Sequence, residues 1–375
     1  MTTTTHKPRR FGFKRWLVIG LMVLGGYLAW GLGGIYKPVS PAVVLPPEPV
    51  WPGVYLIPAI PGFLPDGVPL SNTLLSVFIA DLILLVTALL VVRGGRLIPS
   101  GFYNFFELLV EFLWNMTESA AGKWAKKNIL GVFSMFSIMA TIFLLVFTAN
   151  MVKLLPGFES IGWMKAAHEK GYAMQPLFGN VYALDGTHPL TAAEGEHAEA
   201  APAGEGQAQD EEFCSAGQPC EVVPFLRATA TDLNFTFALA VTAFVFIQIF
   251  GFSALGLRYL GKFINTGTMI SKPIFGFIDF GVGLLELVSE FAKILSFGFR
   301  LFGNIFAGAL LLAILGSLTV VVVPSMLYGL ELFVGIIQAY VFSMLTLTFM
   351  SQAVVHHGGD HEEHGAGHAE AAAAH

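Results

Sequence analysis

The sequence predicts an all-α membrane protein with about six membrane-inserted helices, the last two forming a long hairpin, plus one interfacial helix. Hydrophobic residues make up 55% of the 375 residues and charged residues only 12%. The mean hydropathy of +0.68 exceeds that of soluble domains. The apolar residues fall in runs of roughly 20, the length of a membrane-spanning helix. The charges are segregated by region, and no basic patch indicates nucleic-acid binding.

Residues 1–15 form a basic N-terminus containing Lys7, Arg9 and Arg10. The apolar run 16–36 follows, and its basic flank predicts a helix that starts in the cytoplasm and crosses outward. A cleavable signal peptide is the alternative, although its apolar part is usually about 7 to 15 residues long. We therefore expect an additional, retained membrane helix here.

Residues 37–72 contain many prolines, which predicts an extended linker on the outer face. Residues 73–153 predict the first two core spans, at 73–92 and 130–152, with an interfacial helix at 102–116 between them. Arg93 and Arg96 end the first of these spans and favour the cytoplasmic side. Lys153 ends the second.

Residues 154–226 form a long acidic insertion that we expect on the outer side. Ala, Gly, Glu and His dominate its middle part, 191–212, so that part predicts a disordered segment. Cys214 and Cys220 are the two cysteines of the chain. On an oxidising side they favour a local disulfide, and zinc binding with His188 and His197 is the weaker alternative, since no fixed ligand spacing supports it.

Residues 227–355 predict a span at 232–257, a basic cytoplasmic turn, a long helix and a last helix at 325–355. The turn contains Arg258, Lys262 and Lys272. Six crossings place both termini in the cytoplasm, every basic loop inside and the acidic insertion outside. The His-rich tail 356–375 predicts a disordered end rather than a metal site, because its histidines lack a regular ligand spacing.

The long helix carries a polar stripe in residues 284–308. Its polar side chains recur at intervals of three and four, which places them on one helix face: they are Glu286, Ser289, Glu290, Lys293, Ser296, Arg300 and Asn304. A mid-membrane arginine costs roughly 2.5 to 3.5 kcal/mol and stays charged, so it normally faces a carboxylate or a water-filled path. Glu331 and Gln338 are seven residues apart on the last helix and share a face. An amphipathic helix with a structural ion pair is the alternative.

The run 300–304, Arg-Leu-Phe-Gly-Asn, followed by Ala307 and Gly308, resembles the signature of subunit a of the F-type ATP synthases. Three further blocks resemble that family, and all four lie in its order between about 71 and 355: they are Pro99-Ser100-Gly101 with 104–107, Asn150 with 154–156, and 231–234. Lys153 stands where the resemblance leads us to expect an acid. Ala309 replaces one of the family's protonatable residues.

The resemblance implies a stator subunit that passes ions, with protons favoured, through two half-channels to a rotating ring of c subunits. Arg300 would attract the ring carboxylate and separate the half-channels. Glu331 and Gln338, with Asn304 beside them, would line the outer half-channel; Glu286, Ser289 and Glu290 would line the cytoplasmic exit. Gly298, Gly303, Ala307 and Gly308 would let the ring approach closely, so the hairpin would face the ring.

The implied partners are the c ring, b-type peripheral stalk subunits, the rest of the synthase and the lipid of a bacterial plasma (inner) membrane. No cofactor or metal is expected. No GxxxxGK[ST] motif occurs, so phosphate chemistry would belong to other subunits. A self-contained secondary transporter is the main alternative, and it predicts an internal repeat that this sequence does not display. A structural scaffold would tolerate loss of Arg300.

Overall fold

The computed structural model describes residues 46–51, 53–58, 67–93, 101–129, 133–155, 157–167, 170–179, 181–191, 214, 218–262, 273–318 and 322–355, with isolated positions 16, 19, 20 and 23. Six α-helices lie within these ranges: α1 Asn72–Arg93, α2 Phe102–Ala121, α3 Met135–Val152, α4 Leu233–Leu255, α5 Pro273–Leu318 and α6 Val322–Val354. All but α2 are long and apolar enough to cross a membrane. The chain is therefore a multi-pass, mostly helical membrane protein, as predicted. The expected first span, 16–36, lies outside the described residues except for the four isolated positions.

The helix bundle is centred on α3, α4 and α6. Helix α3 packs against α6, α4 packs against both α5 and α6, and α1 and α2 pack against α3. Ala240, Ala243 and Ala339 are fully buried at these contacts. Small residues let helix backbones approach closely, which is how helices gain packing energy where no hydrophobic effect separates them from lipid.

Helices α5 and α6 form the long hairpin that the sequence predicts. Helix α5 has 46 residues and begins at Pro273, a favourable first position because proline lacks the N–H that would be unpaired there. At about 1.5 Å per residue it is roughly 69 Å long, more than twice the thickness of a hydrocarbon core. An upright orientation would therefore carry much of α5 out of the bilayer.

Hydroxyl groups inside the bundle are satisfied locally. Thr117, Ser343 and Thr346 are fully buried, and each donates a hydrogen bond to the carbonyl four residues earlier, at 2.8 to 2.9 Å. Such back-bonding removes the cost of a bare donor in an apolar interior. These three hydroxyl groups therefore make their hydrogen bonds within their own helices and contribute to helix packing.

The insertion between α3 and α4 contains a four-stranded antiparallel sheet that the sequence reading does not predict. Its strands are β3 Gly162–Ala166, β4 Lys170–Phe178, β5 Val181–Thr191 and β6 Cys220–Pro224, in the order β3-β6-β4-β5. Gly179 follows β4 with a φ of 57°, and Phe178 pairs with Val181 at the end of the hairpin. A disulfide joins Cys214 to Cys220. Residues 192–213, which include most of the segment expected to be disordered, lie outside the described ranges, as does the tail 356–375.

Part of the proline-rich segment forms a small two-stranded sheet. Strands β1 Tyr55–Ile57 and β2 Val68–Pro69 pair in antiparallel fashion before α1 begins. At the start of α1, the hydroxyl of Thr73 donates to Oδ2 of Asp232 at 2.8 Å. Asp232 is the N-cap of α4, and its Oδ1 accepts from the backbone N–H of Asn234 at 2.8 Å. One buried carboxylate thus ties the starts of two helices together.

We expect Asp232→Ala to lower the free energy of unfolding by about 1 to 2 kcal/mol, because it removes the helix cap and the acceptor for Thr73. Asp232→Asn keeps one acceptor for the cap and should cost less. The measurement is unfolding of the purified protein in mixed micelles with increasing denaturant. Equal stability of the alanine variant and the wild type would contradict the assignment.

Candidate functional site

Arg300 lies on α5 with one of its terminal nitrogens unpaired among the described residues. The side chain is half-buried, and its Nη2 donates to the hydroxyl of Ser296, one turn earlier, at 3.4 Å. Its Nη1 is buried without a hydrogen-bond partner in the described part of the chain. The carboxylates of Glu290 and Glu331 form ion pairs with lysines. A buried guanidinium without a counter-charge is costly, so Arg300 is suited to attract an anion from outside the chain.

Asn304 and Gln338 join α5 to α6 one turn beyond Arg300. The Nδ2 of Asn304 donates to Oε1 of Gln338 at 2.6 Å. Gln338 is only 2% exposed, and its Nε2 has no partner among the described residues. Asn304 is exposed. This amide pair therefore offers a donor next to the arginine at the contact between the two helices.

Glu331 lies two turns of α6 before Gln338 and forms an ion pair with Lys153. The Nζ of Lys153 is 3.2 Å from Oε1 of Glu331, and the two side chains are 6% and 10% exposed. Lys153 is the C-cap of α3, where the helix dipole favours a cation. A Cβ on Gly308 would lie 3.0 Å from the same carboxylate oxygen, so the glycine leaves room for Glu331.

A pocket extends from this ion pair toward Asn304. Its central space of about 50 Å³ is enough for a few water molecules. Four polar or small residues and five apolar ones line it: Lys153, Asn304, Gly308 and Glu331, with Ile305, Leu311, Leu327, Leu330 and Val334. The pocket therefore connects the ion pair with Asn304, one member of the amide pair.

Glu290 forms a second polar cluster on the other side of Arg300. It is 2% exposed, and its carboxylate accepts from Nζ of Lys293 at 2.7 Å and from Nε2 of Gln248 at 3.2 Å. The hydroxyl of Tyr259, in the 3₁₀ segment that follows α4, donates to Oε1 of Gln248 at 2.8 Å. Glu290 precedes Arg300 by ten residues, roughly 15 Å along the helix.

Apolar side chains close the inner face of α5 between the two clusters. Phe297 and Leu301 are 2% and 0% exposed, and the Phe297 ring packs against Phe342 of α6 in a tilted arrangement with centroids 5.1 Å apart. Packed aromatic and aliphatic groups exclude water. These side chains therefore exclude water from the contact between α5 and α6 beside Arg300.

The structure separates the site residues expected from the sequence into groups. Asn304 and Gln338 are hydrogen-bonded one turn after Arg300, and Glu331 lines the same pocket as Asn304. Glu290 has its own cluster. Glu286 is half-buried one turn before it, and Ser289 is exposed. The predicted residues thus occupy two regions on either side of the arginine.

Three residues enter the site that sequence reasoning did not assign to it, namely Lys153, Gln248 and Tyr259. The resemblance led us to expect an acid at position 153, so the lysine there was noted only as a difference from the family. In the structure Lys153 is the ion-pair partner of Glu331. Tyr259 lies in a segment without helical periodicity. A Cβ on Gly251 would clash with the Tyr259 ring. A glycine inside a spanning helix was therefore the sequence feature that could have indicated a closely packed partner.

Two of the small residues on α5 serve contacts within the chain. We expected Gly298, Gly303, Ala307 and Gly308 to thin the helix for a neighbouring subunit. A Cβ on Gly298 would lie 3.2 Å from the Phe237 ring, and one on Gly308 would meet Glu331. Gly303 has open space beside it and Ala307 is exposed, so only these two fit the expected role.

The chain matches the family model described as ATP synthase A chain over residues 74–351. It is 33% identical over 142 residues to ATP synthase subunit a 1 of Chlorobium luteolum, a match that covers 38% of this chain and 58% of that protein. It is 22% identical over 291 residues to ATP synthase subunit a of Moorella thermoacetica, covering 77% of this chain and 94% of that one. The matched region includes all the site residues described above, and the chain belongs to the subunit a family of the F-type ATP synthases, the ion-translocating membrane subunits of the Fo sector.

Proposed function

We propose that this chain carries protons across the membrane through two half-channels that meet a rotating ring of c subunits, so that proton flow drives rotation and ATP synthesis. The observation that carries the proposal is the placement of Arg300 between two polar clusters separated by a packed apolar face. A fixed cation at a break between two polar paths is what a stator needs to prevent direct leakage. The chain itself would catalyse no phosphate chemistry.

The outer half-channel would run from Glu331 through the adjoining pocket to Asn304 and Gln338. Glu331 is the carboxylate on this path, and the pocket has room for the water that would connect it to the amide pair. A proton taken up by Glu331 would pass through that water to the carboxylate of a ring subunit. Ala309 cannot exchange protons, so Glu331 would act with water alone.

The cytoplasmic half-channel would begin near Glu290 and lead to Glu286 and Ser289. Glu290 has a lysine and an amide to hold its charge, and Ser289 is exposed nearer the start of α5. The distance of roughly 15 Å between Glu290 and Arg300 is long enough to keep the two paths apart. Protons released by the ring would leave by this route.

Arg300 would act on the ring by Coulomb attraction. Two opposite unit charges 4 Å apart attract by about 4 kcal/mol at an effective dielectric constant near 20. This attraction favours a ring carboxylate that has lost its proton, and it opposes passage of a free proton past the same point. The ring must therefore turn for a proton to cross.

The orientation follows from the distribution of basic residues. Arg93, Arg258 and Lys262 lie at helix ends that the positive-inside rule assigns to the cytoplasm. The sheet of the insertion would then face the outer side, where a disulfide is stable. We propose a bacterial inner-membrane location with both termini in the cytoplasm, and contacts with the c ring and b-type peripheral stalk subunits.

We expect Arg300→Ala to abolish ATP synthesis driven by an imposed proton gradient while the complex still assembles. The physical reason is loss of the only charge that would hold the ionised ring carboxylate in place. The measurement is ATP synthesis by the purified complex in vesicles, with Arg258→Ala, the loss of an exposed arginine, as the matched control. Coupled synthesis at the normal rate in Arg300→Ala would refute the proposal.

We expect Glu331→Gln to slow proton entry severely, because the amide keeps the size of the side chain but cannot bind and release a proton at neutral pH. Passive proton flux through the membrane sector, measured in vesicles after removal of the catalytic subunits, gives the readout. Unchanged flux would remove Glu331 from the outer half-channel.

On the cytoplasmic side, Glu290→Gln and Glu286→Gln form a matched pair. If the exit runs through the buried cluster, the first variant should reduce ATP-driven proton pumping by about tenfold or more, since a buried charged hydrogen-bond network is disrupted together with the proton site. The second, at a half-buried position, should cost less. The reverse order would place the exit at Glu286.

A further inference from the structure

The ion pair between Lys153 and Glu331 is unusual in its surroundings. Both side chains are nearly excluded from solvent, yet they line a pocket with room for water. Burying two charges costs several kcal/mol per ion, and their attraction often only offsets that cost, so an apolar pair of similar volume would stabilise the fold as well. Stability alone therefore does not account for a lysine at this point.

The position of Lys153 is fixed by the helix that carries it. One turn earlier, the Nδ2 of Asn150 donates to the carbonyl of Gly335 at 3.3 Å and holds α3 against α6. A Cβ on Gly335 would lie 3.0 Å from the Asn150 side chain, so the helices touch closely there. The ammonium group is consequently presented to Glu331 from a rigid backbone, with only its own side chain free to move.

We propose that Lys153 is a positioning residue for proton uptake: it holds the ionised Glu331 carboxylate at the outer end of the pocket and releases it when a proton arrives. This inference rests on the proposed function of Glu331. The ammonium group is the one cation within hydrogen-bond distance of that carboxylate among the described residues.

The cycle conserves every proton. A proton from the outer water binds to the Glu331 carboxylate, and the ion pair loses its Coulomb attraction. The neutral acid then turns into the pocket and gives its proton to water on the side of Asn304, from where it passes to a ring carboxylate. The recharged Glu331 returns to Lys153, which keeps its three protons throughout.

This arrangement limits the pocket to one proton at a time. The paired state has no net charge, and the protonated state has a charge of +1 from Lys153. A second proton would enter a site that is already positive and poorly solvated, where like charges repel strongly. Lys153 would thus limit the pocket to one proton at a time and also hold the carboxylate that accepts it.

A double-mutant cycle in the complete complex tests the inference. The variants are Lys153→Met, Glu331→Gln and the double variant, with ATP synthesis in vesicles as the measurement. We expect Lys153→Met to reduce the rate by about tenfold or more, as for a buried charge left without its partner. Because Lys153 would act only through Glu331, the methionine should cause no further loss in the Glu331→Gln background.

Two further variants separate a charge effect from packing. Lys153→Arg keeps the cation and should retain most of the rate of ATP synthesis, whereas Lys165→Met, the loss of a lysine on β3, should leave that rate unchanged.

If Lys153→Met does not assemble, Lys153→Cys can be modified after assembly with a thiol reagent that adds an ammonium group or with a neutral reagent of equal size. Only the cationic reagent should restore synthesis.

Any one of three results would overturn the inference. They are a normal rate of ATP synthesis in Lys153→Met, a loss of rate that multiplies with the loss in Glu331→Gln, and equal effects of the two thiol reagents after verified labelling. Arg300→Ala keeps this outcome distinct from failure of the proposed function. If Arg300→Ala uncouples the complex while Lys153→Met is normal, only the role of Lys153 is wrong. If Arg300→Ala remains coupled, the proposed function itself is wrong.

Discussion

The cost of placing charges inside an apolar helix bundle is the constraint on which the structure depends. Where a buried carboxylate occurs in the described site, a lysine neutralises it: Lys153 pairs with Glu331 and Lys293 with Glu290. Arg300 differs from these carboxylates. Among the described residues its Nη2 donates to the hydroxyl of Ser296, and its Nη1 has no hydrogen-bond partner. Two carboxylates neutralised by lysines and one half-buried guanidinium without a counter-charge among the described residues set this site apart from ordinary structural ion pairs.

Packing keeps the two polar clusters apart. The buried alanines of α4 and α6 bring the helix backbones close, and Phe297 and Leu301 fill the interior face of α5 between Glu290 and Asn304. Hydrogen bonds between helices, such as the one from Asn150 to the Gly335 carbonyl, fix the register of α3 on α6. The separation of the two polar clusters thus arises from the same set of helix contacts that holds the bundle together.

The sequence predicted the described spans and the hairpin because apolar length and charge distribution are set by the bilayer, whatever the tertiary contacts. It also placed Glu331 and Gln338 on one face, which follows from helical spacing. Spacing along one helix carries no information about partners on another, so the pairing of Lys153 with Glu331 and the role of Tyr259 were missed. The sheet was missed although Gly179 and Asn180, which separate two strand-like runs, are a recognised hairpin signal.

The pairing of β3 with β6 has a consequence for the history of the chain. Gly162 lies opposite Pro224 and Ala166 opposite Cys220, so the two ends of the insertion are held side by side. The entropic cost of closing a loop grows only slowly with its length once its ends are joined. Segments could therefore be gained or lost beyond this sheet while the spacing of α3 and α4 stayed the same, so the insertion can change in length without disturbing the helix bundle.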